Sequence, residues 1–436
     1  MQLLNGEFGL LKTATYGEFS NQVHLRQQGR RAPTEVSIEV THRCPLECQH
    51  CYNNLPMSDT HARLQELSLA EYTTLFDELV EAGCLWILFT GGEIFARKDF
   101  LDIYTEAKKK GFIITLFTNG TMITPRIADH LVEYRPFAIE ITLYGATRET
   151  YETLTQIPGS FDRCMNGIKL LMERGLPLKL KTVPTTVNYH EVYEMKRFAE
   201  EELGVEFKFD PLVNPRTDCS QSPLNVRLTP EQAVALEFRD PVRMSEYGKL
   251  FEQERAIAHR PMPNKRYTCG GGHNGCAIDP TGRMTICVLS HQDGYDIRTG
   301  SFREGWEGRL QEIRAIPSTR ETICTKCEIR SLCSMCAANG ELENGDAESP
   351  VDFLCQVAHL RAFSIGLEVP KHGDCPCCAG GAHHAELVES AERLKKDAAE
   401  LKKIAPIHIS SSLLPVLGSG TGCSGGGCSS CGITLR

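Results

Sequence analysis

Between residues 34 and 215, short apolar runs alternate with longer stretches whose apolar positions recur every three or four residues. The runs at 36–40, 86–90, 113–118, 138–144, 178–183 and 206–212 favour Val, Ile, Leu, Phe and Thr. Those residues fit a pleated, half-buried surface. The stretches at 69–82, 99–110, 125–134, 160–174 and 191–203 carry the helical period instead. Ser68, with Glu71 three residues on, predicts a capping box at the first of these helices. Six β–α units of this length predict parallel strands joined by right-handed crossovers, as a doubly wound sheet or an incomplete barrel. In either case a ligand belongs at the C-terminal ends of the strands.

The pattern changes after residue 215. Thr229-Pro230-Glu231-Gln232 predicts a helix start, with proline at the first helical position. From 269 the composition shifts to Gly and Cys, and Asp279-Pro280-Thr281-Gly282 predicts a turn between two β-type pieces. That hairpin would bring Cys276 and Cys287 towards each other. Residues 385–404 read as a charged helix with one stripe of Leu387, Ala391, Leu394, Ala398 and Leu401, packed on its own domain or against a partner. The predicted organisation is an N-terminal extension (1–33), a β/α core (34–215), a helical bridge (216–268), a cysteine-rich domain (269–356), a Cys/His segment with a helix (357–404) and a mobile tail (405–436).

At 436 residues and 41% hydrophobic composition the chain supports a large α/β domain plus a smaller one. A net charge of −9 makes no electrostatic case for nucleic acid or an anionic membrane. No apolar run is long enough to cross a bilayer, and the opening residues lack the form of a secretion signal. A chain with 20 cysteines therefore reads as metal-binding in a reducing cytoplasm rather than as disulfide-stapled, with Cys84, Cys164 and Cys219 as buried or incidental thiols.

Three of them, Cys44, Cys48 and Cys51, directly follow the first predicted strand with the spacing Cys-x3-Cys-x2-Cys. Three thiolates on one loop suit an iron–sulfur cube with one iron left open, with a zinc knuckle as the alternative. The second strand runs into Gly91-Gly92-Glu93, where glycines let a ligand approach the backbone and Glu93 offers an acceptor to a cationic group. Eight further cysteines, Cys269, Cys276, Cys287, Cys324, Cys327, Cys333, Cys336 and Cys355, suffice for two fully ligated four-iron clusters or for two zinc sites.

With Tyr52 after the last loop cysteine, Phe117-Thr118-Asn119-Gly120 and Ile141-Thr142-Leu143-Tyr144-Gly145, these features make residues 36–212 resemble the radical S-adenosylmethionine (SAM) superfamily. The resemblance implies a partial (β/α)6 barrel and a [4Fe-4S] cluster on Cys44, Cys48 and Cys51 whose open iron chelates SAM. It implies that Glu93, beside Gly91 and Gly92, receives the SAM amino group, that the backbone near Tyr52 meets adenine, and that Thr142 touches the cofactor. Reductive cleavage of SAM would then yield a 5′-deoxyadenosyl radical that takes hydrogen from substrate. Ile94 and Tyr144 depart from the commoner proline and aspartate.

Gly282, five residues before Cys287, and the Cys324/Cys327/Cys333 spacing resemble the SPASM domain of peptide-modifying members. This implies two auxiliary [4Fe-4S] clusters, one on Cys269, Cys276, Cys287 and Cys336, the other on Cys324, Cys327, Cys333 and Cys355. The gap of two residues before Cys336 and the Val288 after Cys287 depart from relatives; Val288 argues against formylglycine formation. The implied partners are a peptide or small-protein substrate and a flavodoxin- or ferredoxin-like electron donor. About 33 residues before the barrel are too few for the winged-helix recognition domain of about 80 found in some relatives, so a separate recognition protein or another substrate class is expected. Tetrapyrrole (haem) tailoring is the alternative activity, and a non-catalytic iron–sulfur scaffold the alternative of another class. Spacing assigns no role to Cys375, Cys377 and Cys378, nor to Cys423, Cys428 and Cys431 in the glycine-rich tail, which reads as a mobile segment, a metal-handling arm or a fused substrate mimic.

Overall fold

The computed structural model describes residues 15–27, 29–255, 264–290 and 294–404; the expectations for the glycine-rich tail, with Cys423, Cys428 and Cys431, lie outside them. Six parallel strands form the heart of the sheet: β1 (Glu35–Glu39), β2 (Trp86–Thr90), β3 (Ile113–Thr118), β4 (Ala138–Thr142), β5 (Leu178–Thr182) and β6 (Phe207–Phe209). Each pairs with the next in sequence, so the order along the sheet is the order of the chain. The sheet stays open, because β1 and β6 do not pair.

Three further strands continue it on the β1 side: β7 (Gly275–Ile278), β8 (Arg283–Thr285) and β9 (Tyr295–Asp296). The first of these lies parallel to β1, with Val36 opposite Cys276 and Ile38 opposite Ile278. The cysteine-rich segment is thus knitted into the sheet rather than appended to it.

Helices α1 (Leu69–Glu81), α2 (Phe100–Lys109), α3 (Pro125–Glu133) and α4 (Ser160–Glu173) follow successive strands. The capping box at Ser68 and Glu71 forms, and Tyr72, Leu75, Phe76 and Leu79 of α1 are buried. Each such side chain contributes about 1.5–3 kcal/mol on leaving water, enough for one apolar stripe to hold a helix down. The strand residues meeting the helices are Val36, Ile38, Ile87, Phe89, Ile114, Leu116, Ile139, Ile141, Leu178, Leu180, Phe207 and Phe209. Strand alternation sends their neighbours, among them Glu39, Thr90, Phe117, Glu140, Thr142, Lys181 and Lys208, to the opposite face.

The bridge helix α5 (Pro230–Phe238) carries a capping box from Thr229 to Gln232. Beyond the sheet lie α6 (Ala337–Asn344), α7 (Asp352–Ser364) and α8 (His384–Ile404). Leu387, Ala391 and Leu394 of α8 pack into a core with Val234 of α5 and Leu354, Val357 and Leu360 of α7, so the helix docks on its own chain.

Candidate active site and metal centres

The cysteine loop starts where β1 ends. Arg43–Cys44 forms a short parallel ladder with Leu55–Pro56, which turns the loop back on itself. Arg43 anchors it by a bidentate ion pair, with Nε to Glu66 Oε1 and Nη2 to Oε2 both at 3.0 Å. Neither partner is more than 7% exposed. Inside the fold the three thiols stand close enough to influence one another. Burial pushes all three above the usual thiol range, with Cys51 and Cys44 adding to the effect on Cys48. Such thiols ionise when a metal replaces the proton.

Gly91 and Gly92 receive this loop. Gly92 N–H donates to Thr41 O at 2.8 Å and Glu93 N–H to Arg43 O at 3.0 Å. A Cβ on Gly91 would stand 2.2 Å from Thr41 O, and one on Gly92 2.4 Å from His42 O. Gly91 also has φ +128°, a conformation that side chains disfavour. The glycines therefore admit the backbone of the cysteine loop itself, a role the sequence reading had given to a ligand.

Glu93 is 1% exposed. Its carboxylate accepts from Thr118 Oγ1 at 2.7 Å, Asn119 N at 2.8 Å and Phe95 N at 3.2 Å. Burial nonetheless pushes it up to about 7, because it has hydrogen-bond donors but no cation. Asn119 ties this corner to the loop: its Nδ2 donates to Cys44 Sγ at 3.5 Å. The carboxylate and the first thiol thus share one residue as neighbour.

Tyr52 sends its hydroxyl to Glu39 Oε1 at 3.0 Å, and its carbonyl accepts from Thr217 N at 2.9 Å. Thr142 closes β4 opposite Lys181, on the sheet face away from the helices. Tyr144 lies against Cys48, and His50 packs on Tyr144 with ring centroids 5.5 Å apart. Burial pushes the His50 imidazole down to about 4. The inner face also carries Glu140, whose carboxylate lies 2.8 Å from Lys208 Nζ and 3.4 Å from Lys181 Nζ. Lys181 stands over the Phe117 ring, and burial pushes its amine down to about 7. The sequence reading named no acid or base; the charged alternation in Leu178-Lys179-Leu180-Lys181 was the available signal, since a fully apolar face would have covered a solid core.

The later cysteines fall into two neighbourhoods. Cys324, Cys327, Cys333 and Cys355 influence one another and are pushed up chiefly by burial, except Cys355, where the hydrogen bond its thiol donates to Cys377 weighs most. Cys287 and Cys336 pack in a small core with Tyr52, next to the first loop, and Cys269 lies near Gly271, itself against the Ile286 carbonyl. The expected hairpin forms, but Thr285 stands opposite Ala277, a register that sets Cys276 opposite Ile286 and not Cys287. Neighbouring strand residues point to opposite faces, so Cys276 turns away from Cys287, towards Cys84 and Glu35. His383 and His384, adjacent in sequence, serve other contacts: His383 Nε2 lies 3.5 Å from Asp352 Oδ1 and His384 packs on Phe363. No helix among the described residues is long and apolar enough to cross a membrane.

Residues 38–199 match the radical SAM superfamily. An AdoMet-dependent heme synthase of Methanosarcina barkeri is 25% identical over 332 residues, covering 72% of this chain and 94% of the relative. The antilisterial bacteriocin subtilosin biosynthesis protein AlbA of Bacillus subtilis is 24% identical over 324 residues, covering 71% and 68%. Among solved structures, Streptococcus suis SuiB bound to the precursor peptide SuiA shares the fold at a TM-score of 0.54 and 15% identity, covering 77% of this chain and 80% of that one.

Proposed function

We propose that this chain, which belongs to the radical SAM superfamily, modifies a peptide or small protein by hydrogen abstraction. The residues at the strand ends fit the cofactors this requires: three thiols of one loop, Cys44 buried and Cys48 and Cys51 half-buried, lie close enough to influence one another, and an amide donor already points at the first of them. Cys44, Cys48 and Cys51 hold a [4Fe-4S] cluster in this reading. When bound, that cluster supplies the electron that opens the sulfonium of SAM and releases a 5′-deoxyadenosyl radical.

The chain's own residues do the rest. Glu93, short of a cation, takes the ammonium of SAM; Gly91 and Gly92 keep the loop and this carboxylate in one rigid corner. The Tyr52 backbone lies beside adenine, and Thr142 borders the cofactor on the inner face. Glu140, Lys181 and Lys208 hold the substrate's polar groups, and Lys181 is the candidate to move a proton. The later cysteines would hold two auxiliary [4Fe-4S] clusters, which would supply an acceptor for the electron that leaves the substrate. For the first, Cys324, Cys327, Cys333 and Cys355 lie close enough to influence one another. For the second, Cys287 and Cys336 share a core with Tyr52, whereas Cys269 lies by Gly271 at the end of the sheet where β1 begins and Cys276 stands opposite Val36, so both would have to shift to join them.

The observation that carries this reading is the link from Glu93 through Asn119 to Cys44. The small core of Leu289, Ala338 and Leu342, on which Tyr52, Cys287 and Cys336 all pack, supports the electron-relay role, and the likeness to AlbA supports the peptide class. A flavodoxin- or ferredoxin-like donor, a separate recognition protein and a cytoplasmic site complete the proposal. Tetrapyrrole tailoring is the second reading, favoured by the heme synthase that matches over nearly its whole length. Anaerobic reconstitution followed by a SAM-cleavage assay tests both. We expect about twelve irons per chain and 5′-deoxyadenosine, with turnover stimulated by peptides encoded beside the gene. Stimulation by an iron porphyrin bearing propionates would favour the second reading, and no 5′-deoxyadenosine at full iron loading would end both.

A further inference from the structure

Behind the auxiliary cysteines lies a second kind of donor cluster. His359 on α7 meets His372, Cys375 and Cys378 of the loop that leads to α8. One ligand atom from each lies within 4.8 Å of every other, and all four residues are buried. From these contacts we propose that His359, His372, Cys375 and Cys378 bind one Zn2+ ion in a closed, tetrahedral Cys2His2 site, independent of the radical chemistry.

The geometry is that of a single ion. Zinc–sulfur bonds of about 2.3 Å and zinc–nitrogen bonds of about 2.0 Å at tetrahedral angles put sulfur and nitrogen about 3.5 Å apart. His359 Nε2 lies 3.5 Å from Cys378 Sγ and 3.8 Å from Cys375 Sγ, and His372 Nε2 lies 4.0 Å from Cys378 Sγ. Thiolates around an iron–sulfur cube stand farther apart, because each binds a different corner.

The tautomers agree. His359 Nδ1 is 2.8 Å from the Cys355 carbonyl and His372 Nδ1 is 2.9 Å from the Pro370 carbonyl. A carbonyl oxygen only accepts, so each Nδ1 carries the proton and each Nε2 keeps its lone pair. His372 Nδ1 also lies 3.4 Å from Cys378 Sγ, but its proton is committed to Pro370. Metal-binding histidines are oriented by this kind of outer hydrogen bond. Two thiolates neutralise a dication, so the buried site carries no net charge.

Cys355 and Cys377 form an overlapping set with His359 and Cys375. The two sets share ligands and exclude each other. Cys355 already belongs among Cys324, Cys327 and Cys333, and Cys375-Pro376-Cys377-Cys378 offers the x2 knuckle spacing only through Cys375 and Cys378. With four protein ligands the ion has no open position and serves as a brace. It pins the loop to α7, the helix that carries Cys355, and its ligand His359 holds the Cys355 carbonyl directly.

The test is metal analysis of the full chain purified without oxygen from zinc-supplemented cells. We expect about one zinc per chain, and a zinc X-ray absorption spectrum with two sulfur and two nitrogen neighbours. The paired substitution His372→Ala and Cys378→Ser should lower zinc by about tenfold or more with iron unchanged, whereas Cys377→Ser should leave zinc in place. Absence of zinc from the wild type, an all-sulfur shell, or loss of iron in place of zinc overturns the proposal. Should the double variant fail to fold, the wild-type spectrum alone decides.

Discussion

Glu93 concentrates the chemistry of the site in one side chain. Replacing it by Gln keeps the shape and removes the charge that would meet an ammonium. Since a hydrogen bond to a charged group contributes about 1.5–3 kcal/mol, SAM affinity should fall by about one to two orders of magnitude at unchanged iron content, as calorimetry would show. Gly91→Ala acts differently. The new Cβ meets Thr41 O at a φ that side chains avoid, so about 1–3 kcal/mol of stability should be lost and iron should leak from the cysteine loop, both readable by melting and metal analysis. Lys181 gives a signed pH dependence. Burial lowers its amine to about 7 in the folded chain, while the unfolded chain keeps the proton to about 10.4. Between those values the unfolded state binds more protons, so this residue makes stability rise with pH. Lys181→Met should remove that rise and, with Glu140 still paired to Lys208, stabilise the apoprotein at pH 7 by about 1–4 kcal/mol in urea titrations. At this scale the cysteine loop and the Gly-Gly-Glu corner were legible because their residue types are rare and their order meaningful. His359 and His372 were not: they are thirteen residues apart with no familiar spacing, and only the fold brings them to Cys375 and Cys378.

Among the elements, α5 and α7 are joined by a buried ion pair. Arg361 Nε donates to Glu237 Oε2 at 2.8 Å and Nη2 to Oε1 at 2.7 Å, while Nη1 holds the Leu332 carbonyl at 2.7 Å. The pair is at most 6% exposed. It thus sets the bridge helix, the helix of Cys355 and the turn before Cys333 relative to one another. Arg361→Ala would leave the Glu237 carboxylate only Arg243 at 3.6 Å and the Tyr247 hydroxyl at 2.8 Å, and a loss of about 1.5–3 kcal/mol is expected in thermal melts, with iron lost from the nearby four-cysteine group. Periodicity located β2 and β3 to the residue but overran β6, which ends at Phe209. There Pro211 and the bond from Leu212 N to Asp210 Oδ1 at 3.0 Å turn the chain, and apolar content alone does not reveal such a turn. The helix expected over 191–203 likewise begins as Val192–Arg197 and finishes in wider turns, with Leu203 N bonded to Phe198 O.

On the scale of the molecule, composition marked a change at 269 and suggested a separable domain. The topology shows that local composition is blind to strand pairing across more than two hundred residues: Glu35 faces Gly275 and Ile38 faces Ile278. A truncation ending at 268 should therefore leave β1 with an unpaired edge and give a core that aggregates, visible by light scattering, even though all three loop cysteines are retained. The shared ladder has a further consequence. Any chimera joining this sheet to that of a related protein must splice within the hairpin rather than before it, because the donor half has to arrive carrying the hydrogen-bonding rim on which the recipient's opening strand rests. Recombination between such proteins is thereby channelled towards exchanging whole interlocked chains, or only what lies beyond the hairpin.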